Sequence, residues 1–158
     1  MTDEPTFLTS AALSKLQEEL DHLKTRGREE IEDRIAEARS HGDLRENGDY
    51  DTAKNDQGLM EARIRQLEHL IRTAEVREVA DTGKVEVGSV VTVIDSDGDE
   101  MEYFVAPQEN KVPGMFLASP ASPLGSALLG ASVDDEVSYE APAGTMRVKV
   151  TSVRPYSD

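Results

Sequence analysis

From Ala53 to Ala74 a seam runs through Ala53, Met60, Ile64, Leu67, Ile71 and Ala74, with Gln57 completing an unbroken alternation of four- and three-residue steps. That spacing keeps one stripe of a helix facing a partner helix and is the pattern of a coiled-coil seam. A chain carrying it must supply a second helix. The partner pattern stands upstream: Leu13, Leu16, Leu20 and Leu23, then Ile31, Ile35 and Ala38, with Ser10 placed to cap the helix start. An eleven-residue step from Leu20 to Ile31 relaxes the left-handed supercoil, and the segment around Gly27 is the expected weak point.

Antiparallel helices bring together residues whose numbers have a constant total, because each step up one arm matches a step down the other. Ala38 with Ala53, Ile31 with Met60, and Leu20 with Ile71 each total 91, while Ile35 with Gln57 and Leu23 with Leu67 miss by one. The fold-back point falls between Arg45 and Glu46. Arms of about thirty residues give a hairpin roughly 45 Å long at 1.5 Å per residue. Positions off the seam are polar, including Glu29, Glu30, Glu32, Asp33, Glu61 and Arg65, so the expectation is a projecting two-helix rod with weak ion pairs on its surface.

From about Asp81 the pattern changes to short segments rich in Val and Tyr: VGSVVTVI, EMEYFVA, MFLA, DEVSYEA and MRVKVTSV. Asp97-Gly98 and Pro142-Ala143-Gly144 are turn signals, and SPLGSALLG predicts a short helix ended by Gly130. Residues 106–115 are expected as a loop and 79–86 as an interdomain linker. The fold class expected is α+β, with an antiparallel coiled-coil domain over 1–78 and a small β-rich domain over 79–158.

Composition narrows the function. Thirty-two Asp and Glu against 17 Lys and Arg give a formal charge of −15, which repels bare nucleic acid and anionic membranes. The absence of cysteine excludes disulfides, thiolate metal sites and cysteine nucleophiles. No serine sits in a nucleophile elbow, and His22, His41 and His69 lack a helical metal spacing. The turn 95-DSDGDE-100 resembles the start of a calcium loop, but its glycine is at the fourth position and the distal Glu is missing, so a hairpin turn is expected. The start lacks the basic and apolar regions of a signal peptide and no run approaches a membrane span, which places the chain in a cytosol as an expectation.

The fold-back region, 41-HGDLRENGDY-50, holds a concentration of acids. Asp49 and Asp51 suit the N-terminus of the second helix, whose dipole favours negative charge. Asp43 and Glu46 sit on the turn itself. Two carboxylates are too few for an enclosed magnesium or calcium site but suit a hard cation held partly by another molecule. Arg39 and Lys54 flank the apex at nearly matched height, either to contact a phosphate backbone or to offset the local acids.

The stretch 36-AEARSHGDLRENGDYDTAKNDQGLMEARIRQLE-68, with LSKLQEELDHLK before it and SPLGSALLG followed by DDEV after it, closely resembles the bacterial Gre-family transcript-cleavage factors, in the GreA branch. The resemblance implies an N-terminal antiparallel coiled coil and a C-terminal domain similar in fold to FK506-binding proteins. It implies a partner, RNA polymerase, entered through its secondary channel, with the coil tip near the RNA 3′ end. By position, Asp43 and Glu46 match the tip acids that help hold a magnesium ion shared with the polymerase and orient the attacking water. Arg39 and Lys54 match a basic patch near the RNA, and Ser122, Pro123, Leu124 and Gly125 a polymerase-docking motif. The chain is then an accessory factor acting as a monomer, not a free nuclease, and no metal is bound stably to it alone. Gly48-Asp49 stands where Ala-Glu is usual, and Glu29 where proline is common. The competing readings are a channel occupant that inhibits polymerase, a prolyl isomerase suggested only by the domain likeness, and a coiled-coil adaptor.

Overall fold

The computed structural model describes residues 5–41 and 48–157. The architecture is α+β: a helical hairpin is followed by a five-stranded mixed sheet with one helix. The chain forms two compact units, one holding Leu13–Ala74 and the other joining Pro5–Ala12 to Glu75–Asp158. The line thus falls four residues before the expected division at 78/79, and residues 5–12 belong with the β-rich part. Phe7 is the reason, because it is buried in a cluster with Val90, Phe104 and Ala106.

In the helical unit, α1 (Ser10–His22) passes through a five-residue π-helical turn, Leu23–Gly27, into α2 (Arg28–Ser40). The cap of α1 is Thr9, not Ser10: its Oγ1 accepts the Ala12 amide at 3.0 Å. The expected weak point around Gly27 carries the helix through with a widened turn. Thr25 donates its hydroxyl to the Asp21 carbonyl at 2.8 Å there. Gly27 permits a close approach, since a Cβ at that position would lie 3.1 Å from the Met60 sulfur.

Helix α3 (Gly48–Arg72) packs antiparallel to α2. Arg34 bonds Asp56 at 3.0 Å, and Arg28 grips both Glu61 oxygens at 3.0 Å, pairs whose numbers total within two of 91. Ile31, Ile35 and Ala53 form the buried cluster, with Tyr50 and Met60 against it. Toward the end of α3 the seam slips: Leu70 is buried and Ile71 only half-buried. A 3.6-residue helix drifts by about 20° per heptad against a 3.5 repeat, which moves the buried stripe to the neighbouring residue. Ion pairs tie the polar faces across the arms, with Glu19 on Arg63 at 2.7 Å and Lys24 on Glu68 at 3.6 Å.

The short strand β1 (Thr6–Phe7) pairs with β2 (Ala74–Glu75), which begins on the last residue of the first unit. The main sheet contains β3 (Ser89–Asp95), β4 (Glu100–Val105), β5 (Phe116–Ala118), β6 (Glu136–Ala141) and β7 (Gly144–Pro155), in the order β5-β4-β3-β7-β6. Only β4–β5 is parallel. Helix α4 (Pro123–Leu128) places Leu128 on a core of Val91, Val93, Val105, Val148 and Val150. The opposite face buries Phe104, whose ring stacks on Tyr156 at 4.4 Å. Both predicted hairpin turns are present, and Gly98 takes the positive φ (83°) that its turn demands.

Two segments differ from expectation. Val85, assigned to the linker, is buried in the sheet core and exchanges backbone hydrogen bonds with Gly130 and Ala131. The 106–115 loop contains a short 3-10 turn, Gln108–Asn110, that buries Asn110 at 1% exposure. Asn110 accepts the Thr9 amide at 2.8 Å and donates to the carbonyls of Phe7 (2.8 Å) and Pro107 (3.2 Å).

Candidate functional site

The apex acids Asp43 and Glu46 lie outside the described residues. Their flanks are described. Helix α2 ends at Ser40, whose hydroxyl donates to the Glu37 carbonyl at 2.6 Å. Helix α3 opens with Gly48, and its first turn carries Asp49 and Asp51, where the helix dipole favours carboxylates. A Cβ at Gly48 would meet nothing within 4 Å, so packing does not require glycine there. Glu29 occupies the first turn of α2.

Arg39 lies over the Tyr50 ring, 5.7 Å from its centroid, so one arm's cation rests on the other arm's aromatic face. Such a contact contributes about 0.5–1 kcal/mol at an exposed site. It leaves the guanidinium charged, and no carboxylate lies within 4 Å of it among the described residues. Lys54, on α3, donates to Gln57 at 2.9 Å. The two predicted cations therefore sit on opposite arms near the apex, each steadied by an uncharged partner. Tyr50 stands three residues before Ala53, one further step of the seam, and that spacing was the signal that could have found it.

The second predicted group, Ser122, Pro123, Leu124 and Gly125, starts α4. Ser122 accepts the Gly125 amide at 3.1 Å and donates to the Ser119 carbonyl at 2.6 Å, with Pro123 at the first helical position, where its missing N–H costs nothing. Gly125 is buried, and a Cβ built on it would lie 1.9 Å from the Ser119 carbonyl oxygen. Leu124 packs on the sheet core. Pro123 alone of the four is exposed. The motif is thus first a folding device: a capped turn that doubles back on itself closely enough to require glycine.

The three carboxylates of the β3–β4 turn come together, Asp95, Asp97 and Asp99 each offering an oxygen within 4.8 Å of the others. Asp95 accepts the amides of Asp97 and Asp99, both at 2.9 Å, which is the hairpin-turn role expected of this segment. No histidine joins a metal-ligating group among the described residues. His69 faces Arg72 across 3.3 Å. Among the described residues no helix is long and apolar enough to cross a membrane.

Sequence comparison places this geometry in a family. A model described as "Transcription elongation factor, N-terminal" matches residues 6–76, and one described as "Transcription elongation factor, GreA/GreB, C-term" matches residues 80–155. The chain is 41% identical to the transcription elongation factor GreA of Chloroflexus aggregans, covering 98% of this chain and 100% of that one. It is 43% identical to GreA of Streptomyces coelicolor, covering 99% and 97%. Among solved structures, GreA factor homolog 1 of Thermus thermophilus is 28% identical over 96% of this chain and 99% of its own, with a TM-score of 0.44. On the two family matches and the full-length relatives, the chain belongs to the GreA/GreB family of transcription elongation factors.

Proposed function

We propose that this elongation factor enters RNA polymerase apex first and stimulates the polymerase's own cleavage of backtracked RNA, so that arrested complexes resume synthesis. The observation that carries the reading is the family match over nearly the whole chain, together with the acidic sequence 42–47 that links two packed helices. Asp43 and Glu46 supply two oxygen donors, a set that fits a magnesium ion only if polymerase completes the shell. Such a shared ion would stabilise charge on the reacting phosphate. The part assigned to this chain is local: the two carboxylates hold and orient the attacking water, and Arg39 and Lys54 meet the RNA phosphates near its 3′ end. The Arg39–Tyr50 contact suits that task by holding the guanidinium without neutralising it. Ser122–Gly125 presents Pro123 to the polymerase exterior. The chain performs no chemistry alone.

The test is a stalled, backtracked elongation complex in which RNA shortening is followed over time. Wild-type protein should accelerate shortening, and Asp43→Ala with Glu46→Ala should abolish the acceleration while leaving polymerase binding intact. No acceleration by wild type, or equal acceleration by the double variant, overturns the mechanism.

A further inference from the structure

Arginines join the two arms of the hairpin in two chemically different ways. Arg28, Arg34 and Arg63 each reach a carboxylate across the rod, on Glu61, Asp56 and Glu19, at 3.0, 3.0 and 2.7 Å. Arg39, in the last turn of α2, reaches an aromatic ring instead, 5.7 Å from the Tyr50 centroid. Its helix neighbours three and four residues back, Ala36 and Ile35, offer no carboxylate either. Tyr50 is the third residue of α3 and half-buried, packed on the cluster of Ile31, Ile35 and Ala53, so its ring is a fixed floor for the guanidinium. Lys54 stands four residues further along α3, one turn on along the same face. The ring therefore holds Arg39 on the side of the hairpin that carries Lys54. A carboxylate partner would leave an incoming anion to meet a neutralised pair. An aromatic face attracts the same cation through its quadrupole and adds no negative charge.

We propose that Tyr50 is a positioning residue for RNA cleavage: its ring sets the Arg39 guanidinium toward the RNA phosphates while itself touching neither RNA nor metal. The inference rests on the proposed function for the task of Arg39. It adds a residue beyond the acids and cations of the apex, and it assigns the work to the ring and not to the hydroxyl. A free arginine side chain loses much of its rotamer freedom when it grips a phosphate. A guanidinium already laid on a fixed ring has less to lose, so the gain appears in the cleavage rate at saturation. Removing the aromatic face should lower that rate about two- to five-fold, the factor that corresponds to a cation–π contact at an exposed site. Affinity for polymerase, set by the rest of the chain, should not change.

The experiment compares Tyr50→Phe with Tyr50→Leu in the full chain, on a backtracked elongation complex, across a range of factor concentrations. Both variants lack the hydroxyl and both keep apolar bulk against Ile31, Ile35 and Ala53, so their difference isolates the aromatic face. Tyr50→Phe should exceed Tyr50→Leu in maximal cleavage rate by about two- to five-fold, with the half-saturating concentration and Tm of the two alike. The same pair is then made in an Arg39→Ala background, where the difference should vanish because the ring has no cation left to position. Equal maximal rates for the two variants overturn the inference, as does a difference confined to the half-saturating concentration or to Tm, or one that persists without Arg39. In each of those outcomes acceleration by the wild-type protein still upholds the proposed function, whereas no acceleration by wild type overturns both.

Discussion

Replacing Asn110 with alanine isolates a single buried junction. The side chain is 1% exposed and makes three hydrogen bonds, two of them to the N-terminal segment about a hundred residues away. The Pro107 carbonyl keeps the Asn110 backbone amide at 3.0 Å, so its loss is small. Thr9 is different. Its amide is buried and has the Asn110 Oδ1 as acceptor, so truncation leaves a donor unsatisfied at about 1–3 kcal/mol, and losing the bond to Phe7 adds about 1. A destabilisation of about 2–4 kcal/mol lowers Tm by roughly 10 °C in a chain of this size. Asn110→Asp gives a sharper test. A carboxylate still accepts from Thr9 but faces the Phe7 and Pro107 carbonyls without a proton to donate, so folding raises its pKa above the unfolded value of about 3.9. A group with a raised folded pKa contributes stability that is complete below the unfolded pKa and lost as pH rises through the folded one. The gap between Asn110→Asp and wild type should therefore be narrow near pH 4 and wide at pH 7. Circular-dichroism melts across that range read both variants. An alanine variant within 1 kcal/mol of wild type, or an aspartate gap that does not narrow in acid, would refute the reasoning.

Glycine substitutions should divide by position. Gly125→Ala drives a Cβ into the Ser119 carbonyl and should cost about 1–3 kcal/mol or more in thermal melts, whereas Gly58→Ala, in a helix with nothing within 4 Å, should stabilise by up to about 1 kcal/mol. The hairpin should weaken in acid. Hydrogen bonds from Arg63 and Arg28 lower the pKa of Glu19 and Glu61 respectively, so the stability they add is present above the usual carboxylate value of 4.5 and fades as pH falls through the lowered ones. Denaturant titration of Glu19→Gln with Glu61→Gln should show a shallower acid limb than wild type, and an unchanged limb would dismiss the pairs as contributors.

The hairpin was legible because its seam is periodic and its two arms obey one arithmetic constraint, satisfied in the packing of Ile31, Ile35, Ala53 and Met60. All five main strands fell where Val- and Tyr-rich runs placed them, since half-buried strands must alternate. What escaped were features set by distant partners. Thr9 caps α1, and residues 5–12 join the second unit, because Asn110 and the Phe104 cluster meet them across most of the sequence. No local pattern encodes that meeting. The cross-arm ion pairs and the Arg39–Tyr50 contact were missed for the same reason, as they require helix register and not spacing within one helix.

The motif Ser122–Gly125 made the family recognisable, yet most of its chemistry is spent on the fold. Ser122 holds the Ser119 carbonyl and the Gly125 amide, Leu124 packs on the core, and Gly125 fits where no side chain can. Substituting any of these mixes loss of structure with loss of docking, and Ser122→Ala alone should cost about 1 kcal/mol as a lost cap. Pro123 separates the two effects. It is exposed, occupies the first helical position and donates no hydrogen bond, so alanine fits the same backbone with a stability change within about 0.5 kcal/mol. If the motif also contacts polymerase, Pro123→Ala should weaken binding while leaving Tm unchanged, and saturating protein should recover full RNA cleavage. Unchanged affinity in Pro123→Ala would reduce the motif to a folding element and leave docking to other surfaces of the second unit.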